Sequence, residues 1–214
     1  MREYNKIHSV YKRTPKGVFI PGQYARPEVE YLADGQWTFT EKVDGTNIRL
    51  GWSPEDGFRI GGRTARAQIP VFLLEALEVL GLRDTLAEHF DGPVVLYGEG
   101  YGPRIQKDGH LYRDTPGFVL FDVRVGDLWL RRADVEDVAA TLGLDVVPLV
   151  FQGTLREAIE RVSRPEGIRS AWGEFRAEGL VGTPLVQLFG RDGERVIVKV
   201  KSRDFDRLRR SGAA

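Results

Sequence analysis

Two apolar, strand-forming runs flank a short polar stretch near residue 40, and this arrangement restricts the region to paired β-strands. The runs are Trp37–Phe39 and Ile48–Trp52, each rich in aromatic or β-branched residues. Between them, Asp44-Gly45 is a strong turn signal, which favours an ordinary hairpin. Lys42 follows the first run and is flanked by the carboxylates of Glu41 and Asp44, which is also the setting of an activated amine nucleophile. From these residues alone both interpretations stay open.

The remaining pattern predicts strands with helices between them. Alternating or continuous apolar runs predict strands at 58–60, 94–97, 117–125, 127–130, 146–151, 178–182 and 196–201. Helical spacing with glycine or acidic caps predicts helices at 71–80, 83–90, 132–142 and 154–162. We read residues 1–36 mostly as loop and 207–214 as a basic tail. Most turns suit antiparallel pairing, so we expect an α+β fold of antiparallel sheets flanked by helices.

Composition narrows the class of protein. The 214 residues are enough for one core, and we expect a single domain, 1–214. The chain has no cysteine and three distant histidines, which argues against disulfides and cysteine or histidine metal cages. Its 31 basic and 31 acidic residues give no net charge, so bulk electrostatic coating of nucleic acid is disfavoured, while a local basic groove stays open. No signal core or membrane-length apolar run is present, so we expect a cytoplasmic protein with no membrane partner.

Four later features place polar groups in or beside strand-forming runs. Glu99 follows a strand and lies between two glycines, which would let a ligand approach the backbone. Phe121 precedes an aspartate within a strand, and Glu178 precedes a glycine at the start of one. Lys199 and Lys201 are two apart, so they share one strand face. Taken singly, each feature has an ordinary structural explanation, such as a solvated loop acid, a core aromatic or an edge-strand lysine pair.

Taken in order, these features resemble the motifs of the covalent nucleotidyltransferases, the ATP-dependent DNA and RNA ligases and the GTP-dependent capping enzymes. The set comprises Lys-x-Asp-Gly, a strand-end Glu, an aromatic before Asp, Glu-Gly and Lys-x-Lys. Three details favour RNA ligases similar to the second RNA ligase of T-even phage: Thr46-Asn47, Gly62-Arg63-Thr64 and Val119–Val123. The resemblance covers 37–201 and implies a nucleotidyltransferase core that is ATP-grasp-like.

For catalysis, the resemblance implies that Lys42 attacks the α-phosphate of ATP to form lysyl-AMP. Lys199 and Lys201 would contact that phosphate and assist its transfer. Glu41 would read the adenine amino group, and Phe121 would stack on the adenine ring.

For the rest of the substrate, the resemblance assigns Glu99 to the ribose and Arg63 to the ribose or an RNA phosphate. Asn47 would contact the 5′-phosphate of the strand being joined. Glu178 and Asp44 would hold Mg²⁺ or Mn²⁺ through water, so the implied cofactors are ATP and a divalent cation.

The sequence therefore predicts an ATP-dependent RNA ligase that joins a 5′-phosphate end to a 3′-hydroxyl end. A DNA-end ligase and a polynucleotide 5′-adenylyltransferase are the alternatives among enzymes, and a non-catalytic nucleotide- or RNA-binding module is the alternative from another class.

Only 13 residues follow Lys201, so we expect neither an OB domain nor a helical C-terminal domain. Without such a domain, an accessory protein could be needed to hold the RNA. Further candidates for contact with nucleic-acid phosphates are Arg66, Arg104, Lys107 and the arginines after residue 206, for which solvated surface charge is the more ordinary explanation. His8 has no assigned role beyond packing.

Overall fold

The computed structural model describes residues 1–211 and has mixed α and β structure. In chain order the strands are β1 His8–Ser9, β2 Tyr11–Arg13, β3 Phe19–Tyr24, β4 Trp37–Glu41, β5 Thr46–Ser53, β6 Gly57–Gly62, β7 Val94–Tyr101, β8 Gly117–Val125, β9 Leu128–Trp129, β10 Asp145–Val146, β11 Leu149–Gly153, β12 Gly179–Pro184 and β13 Val198–Lys201. The α-helices are α1 Pro27–Tyr31, α2 Val71–Glu78, α3 Leu82–His89, α4 Arg132–Leu142, α5 Leu155–Ser163 and α6 Ser202–Ser211. The chain divides into two compact units.

Unit 1 consists of Met1–Tyr4 and Asp44–Val147. Its sheet has the order β10-β8-β7-β5-β6, with β9 paired to β8. One face of the sheet packs against α2, α3 and α4 through a core that includes Leu96 and Leu120, both fully buried. A second, aromatic cluster contains Tyr97 and Trp129 together with Tyr4 from the N-terminal segment.

Unit 2 consists of Asn5–Val43 and Pro148–Ala214, of which residues up to 211 are described. Its five-stranded sheet has the order β1-β13-β12-β4-β11, and β2 and β3 form a separate two-stranded sheet. Side chains from β4, β12 and β13 share one core with those of α5 and α6. Three stretches far apart in sequence therefore form adjacent strands of one sheet.

The α+β class is confirmed, and the four predicted helices are found with each end within two residues of the prediction. The helix predicted from Thr154 begins where expected because the Thr154 hydroxyl accepts from the Glu157 N–H at 3.2 Å and caps the first turn. The helix predicted at 132–142 ends at Gly143, which adopts φ 64°.

Four expectations about the elements are wrong. The hairpin alternative fails because both edges of β4 are taken by β11 and β12, whereas β5 pairs with β6 and β7 in the other sheet. The strand predicted at 146–151 is two strands, β10 and β11, in different sheets. The predicted loop at 1–36 contains β1, β2, β3 and α1, and the predicted tail is helical as far as Ser211. Residues 212–214 of that tail lie outside the described part.

Among the helices of residues 1–211, none combines the length and apolar character that a bilayer crossing needs.

Candidate active site

Three charged side chains meet at the ends of three neighbouring strands of unit 2. Lys42 directly follows β4, Glu178 directly precedes β12, and Lys201 is the last residue of β13. Because β12 runs antiparallel to both neighbours, its beginning lies beside the ends of the other two strands. We call these residues the lysine–glutamate triad.

Glu178 accepts a hydrogen bond from each lysine of the triad. The Lys42 ammonium donates to one carboxylate oxygen at 2.6 Å, and the Lys201 ammonium donates to the other at 2.5 Å. The Glu178 side chain is only 10% exposed. Burial raises the pKa of this carboxyl, but attraction to Lys42 and the hydrogen bonds from both lysines outweigh burial, so its pKa lies below the ordinary glutamate value. The triad is therefore held together by its charges.

Backbone hydrogen bonds fix the triad in place. The Lys42 N–H donates to the Gly179 carbonyl at 3.0 Å, and the Ser202 N–H donates to the Glu178 carbonyl at 2.9 Å. Gly179 has φ 154°, and a side chain there would overlap the Val200 carbonyl oxygen. The glycine of the Glu-Gly pair is thus required by the close approach of β12 to β13.

Lys199 lies on the same face of β13 as Lys201, as the spacing of two predicts. The neighbours Val198 and Val200 point into the core of unit 2, and both lysines are half-buried. Lys199 is opposite Val181 in the antiparallel pairing and opposite Ser9 in the parallel pairing. The sheet therefore brings the predicted nucleophile and both predicted phosphate-binding lysines into one unit.

Glu41 is placed differently from its neighbour Lys42. Its side chain is on the core face of β4, only 2% exposed, and both carboxylate oxygens already accept hydrogen bonds. The donors are the Ser170 hydroxyl at 2.7 Å and the Ala171 N–H at 2.8 Å. Burial raises its pKa, and these two hydrogen bonds oppose the rise. Glu41 thus anchors the loop that follows α5, and its predicted contact with adenine stays a prediction.

Unit 1 contains the predicted contacts to ribose and to the 5′-phosphate. Asn47 on β5 is directly opposite Glu99 on β7. The side-chain oxygen of Asn47 is buried with no hydrogen-bond partner in residues 1–211. Gly45 is needed for close packing, since a side chain there would lie 2.7 Å from the Glu99 Cγ. These residues lie side by side on two paired strands.

The glycines that flank Glu99 do not leave space for a ligand, contrary to our expectation. A side chain at Gly98 would overlap the Phe118 ring, and one at Gly100 would lie 2.7 Å from a methyl group of Leu73. Both glycines instead accommodate core side chains of unit 1.

Phe121 lies at a β-bulge. Leu120 is opposite Gly98 and Asp122 is opposite Tyr97, so Phe121 has no directly opposite residue. As the alternation predicts, Leu120 points into the core with the helices, whereas Phe121 joins the aromatic cluster. The bulge therefore changes the direction of β8 at Phe121, the residue that resembles an adenine-stacking aromatic.

Tyr4 supports Phe121 and was missed by the sequence-based prediction of the site. Its ring contacts Phe121 edge-on at a centroid distance of 5.1 Å, and its hydroxyl donates to Asp122 at 2.8 Å. The neighbouring Glu3 accepts from the Ala65 N–H at 2.9 Å, in the loop that carries Arg63. The N-terminal segment therefore contacts two regions with predicted substrate residues. The only sequence signal for Tyr4 was its apolar ring.

The turn after Lys42 is also supported by residues that the sequence did not single out. The Tyr112 hydroxyl accepts from the Asp44 N–H at 3.2 Å, and the Gln106 amide donates to the Gly45 carbonyl at 2.9 Å. Both residues come from the loop between β7 and β8. They were missed from the sequence because a single tyrosine and a single glutamine in a loop form no recognisable motif.

The other candidate phosphate contacts are exposed. Arg63 and Arg66 lie in the loop after β6, and Lys107 lies in the loop after β7. Arg104 has a positive φ of 67°, and its guanidinium lies 4.3 Å from the centre of the Phe72 ring. His8 is half-buried on β1; burial lowers its pKa, and so do the charges of Arg26, Lys6 and Lys199.

The donor set for a divalent cation is small. No group of three or more His, Cys, Asp or Glu side chains suited to a metal occurs in the part of the chain that the structure describes. Mg²⁺ usually keeps several waters and takes one or two carboxylates besides substrate phosphates. Glu178 supplies one such carboxylate; because each of its oxygens accepts from a lysine ammonium, it would hold the cation through water.

Comparison with known proteins identifies the family. The family model for RNA ligase matches residues 35–201. No curated protein matches the sequence significantly. Among solved structures, the Naegleria gruberi RNA ligase with PPi is 19% identical with a TM-score of 0.66, over 88% of this chain and 55% of that enzyme. A mutant of the same enzyme with ATP and Mn is 17% identical with a TM-score of 0.69, over 98% of this chain and 58% of that one.

The solved structures show the fold, and the family model shows the family. The structures below a quarter identity share the fold, and this chain spans little more than half of their length. The family model extends from just before β4 to the last residue of β13 and so includes the whole triad. The chain belongs to the RNA ligase family.

Proposed function

We propose that this protein is an ATP-dependent RNA ligase that works through a covalent lysyl-AMP intermediate. The observation that carries the proposal is the lysine–glutamate triad, in which Lys42 and Lys201 both donate to one carboxylate that is only 10% exposed. An ordinary surface lysine needs no such partner, and ionisable groups with shifted pKa values, such as Glu178, cluster at functional sites.

In the first step the Lys42 amine attacks the α-phosphorus of ATP. A nitrogen–phosphorus bond forms, the bond to the pyrophosphate oxygen breaks, and the amine loses a proton. Only the neutral amine attacks, so the Lys42 ammonium first releases one proton to solvent; an N–H of the neutral amine can still donate to Glu178 while the lone pair faces the phosphorus. Lys199 and Lys201 offset negative charge on the transferring phosphate.

In the next steps a 5′-phosphate oxygen of RNA attacks the phosphorus of lysyl-AMP, and the Lys42 amine departs. The 3′-hydroxyl of the other end then attacks the 5′-phosphate and releases AMP. A divalent cation supplies charge neutralisation at the phosphates when bound, and Glu178 and Asp44 would hold it.

Recognition of the nucleotide and RNA ends rests on the remaining predicted residues. Glu41 reads the adenine amino group, and Phe121 stacks on the adenine ring. Glu99 binds ribose, Arg63 binds ribose or phosphate, and Asn47 binds the 5′-phosphate. The support is the order and spacing of these residues in the sequence. The absence of cysteine suits the cytoplasmic setting that we propose.

The direct test is transfer of label from α-labelled ATP to the protein. Wild type with Mg²⁺ or Mn²⁺ should retain label after denaturation, Lys42→Ala should retain none, and Lys16→Ala, an exposed lysine of the same unit, should match wild type. Unlabelled wild type would refute the mechanism and favour a binding module, and equal labelling of Lys42→Ala would refute Lys42 as the nucleophile.

A chase separates the polynucleotide substrates. The adenylylated protein is mixed with 5′-phosphorylated RNA or DNA, as nicks and as single strands. Sealed RNA is the expected product; sealed DNA alone identifies a DNA-end ligase. Accumulation of AMP-capped ends identifies a 5′-adenylyltransferase, or sealing that needs an accessory protein.

A further inference from the structure

Three arginines form a stripe along the outer face of α6. Arg203, Arg207 and Arg210 are spaced four and three residues apart and all are exposed. At 3.6 residues per turn, they fall within an arc of about 60° and extend over roughly 10 Å of helix. The opposite face holds Phe205 and Leu208, which are buried in the core of unit 2. We call Arg203, Arg207 and Arg210 the arginine stripe.

The stripe is not neutralised by carboxylates. Exposed arginines elsewhere in unit 2, such as Arg156 and Arg164, form ion pairs with Asp34 and Glu160. In the described part of the chain, no ion pair involves any arginine of the stripe; Arg210 instead donates to the backbone carbonyl of Asp206 at 3.3 Å.

The acids of α6 explain why the stripe stays positive. Asp204 is 2% exposed and accepts from Arg13 at 2.6 Å. Asp206 accepts from Arg176 at 2.9 Å and also from Arg209. Both carboxylates are therefore committed to other arginines. A protein with no net charge thus concentrates unpaired positive charge on this helix face.

The chemistry of the stripe points to phosphodiester groups. Guanidinium groups bind phosphate oxygens through two parallel hydrogen bonds, and a row of them suits a polyanion. An anionic membrane is a poorer match, because a membrane-surface helix inserts its apolar face, and here that face is already buried in unit 2. The stripe also begins two residues after Lys201 of the triad.

We propose that the arginine stripe binds backbone phosphates of the RNA that this ligase joins. The proposal rests on the proposed function for the identity of the polyanion. It assigns α6, which follows the family-matched region, a role in holding the substrate strand. Contacts of this kind depend on phosphates and are therefore independent of sequence.

The test compares RNA binding of full-length variants over a range of salt concentrations. Each phosphate contact with a single strand contributes about 0.7 to the slope of log affinity against log salt. Arg203→Ala/Arg207→Ala/Arg210→Ala should therefore lower that slope by about 2 and weaken binding of a short 5′-phosphorylated RNA. A triple variant at Arg156, Arg164 and Arg169, paired arginines of the same unit, removes equal charge and should leave the slope unchanged.

A self-adenylylation assay distinguishes failure of the stripe proposal from failure of the proposed function. The stripe variant should label with ATP as wild type does, because its substitutions lie outside the triad. Absence of label on wild type refutes the proposed function, while the salt slope still decides whether the stripe binds RNA.

Three results would contradict the proposal that the arginine stripe binds RNA. These are an unchanged slope, an equal loss in the triple control, and stripe-dependent binding to phosphatidylserine vesicles without a change in RNA binding. If the triple variant does not fold, the single variants replace it. Each should lower the slope by about 0.7, and Arg209→Ala, on the same helix but paired with Asp206, should not.

Discussion

Two glutamates of unit 2 show how strongly the surroundings of a residue determine its chemistry. Glu41 and Glu178 are both largely buried, yet their pKa values move in opposite directions. Glu178 accepts from two ammonium groups, which favour its ionised form. Glu41 accepts from a hydroxyl and a backbone N–H, and those neutral donors do not compensate for burial.

This difference predicts opposite effects of pH on stability. The lowered pKa of Glu178 contributes stability that is present above the unfolded value of about 4.3 and is lost as pH falls through the folded value. Wild type should have a higher free energy of unfolding than Glu178→Gln at neutral pH. This difference should shrink as pH falls below about 4.3. The raised pKa of Glu41 has the reverse sign, so its contribution is lost as pH rises through the folded value. Wild type should lose stability relative to Glu41→Gln over that range.

Urea unfolding from acidic to neutral pH measures both differences. At neutral pH, Glu178→Gln should cost about 2 to 3 kcal/mol, since two partly buried ammonium groups lose their carboxylate. Glu174→Gln, an exposed partner of Arg169, should cost less than about 1 kcal/mol at every pH. Parallel pH curves for the two buried variants would contradict the assigned environments.

At the scale of elements, the candidate site depends on close approach between strands. β12 lies between β4 and β13, and its first residue, Gly179, is opposite Lys201. A bulkier residue at Gly179 must separate β12 from β13 and displace the ends that carry the triad.

Gly179→Ala should therefore reduce both stability and self-adenylylation. We expect a loss of about 1 to 3 kcal/mol in the free energy of unfolding, from overlap with the Val200 carbonyl and strain at φ 154°. Gly92→Ala is the matched control, because a side chain there meets no atom within 4 Å and φ is not positive. Equal effects of the two substitutions on labelling would show that the approach of β12 to β13 does not matter.

The N-terminal segment gives a second prediction at this scale. Tyr4→Phe keeps the ring against Phe121 but removes the hydrogen bond to Asp122. The free energy of unfolding should fall by about 1 kcal/mol, and KM for ATP in self-adenylylation should rise severalfold with little change in the maximal rate. Tyr31→Phe, at a residue that is 89% exposed, should change neither quantity. A lower maximal rate with unchanged KM would argue against a role in holding the nucleotide.

At the scale of the whole molecule, sequence patterns predicted most elements but not their partners. The helix at 132–142 was accurate because its spacing, first-turn acid and C-terminal glycine are local signals. The run at 146–151 was misread because an apolar run does not show that the chain passes from unit 1 to unit 2 within it, between Val147 and Pro148. Strands of residues 1–36 were missed because glycines and prolines conceal short pairings.

The sequence alone determined the α+β class, the family and the order of the charged motifs, because local periodicity and motif spacing are properties of the chain itself. Only the tertiary structure decided which motifs meet. Lys42, Glu178 and Lys201 are brought together by antiparallel pairing across large sequence separations. It also decided that Gly98 and Gly100 accommodate core side chains, and that Tyr4 packs against Phe121. Such outcomes depend on which strands become neighbours, and no single stretch of sequence contains that information.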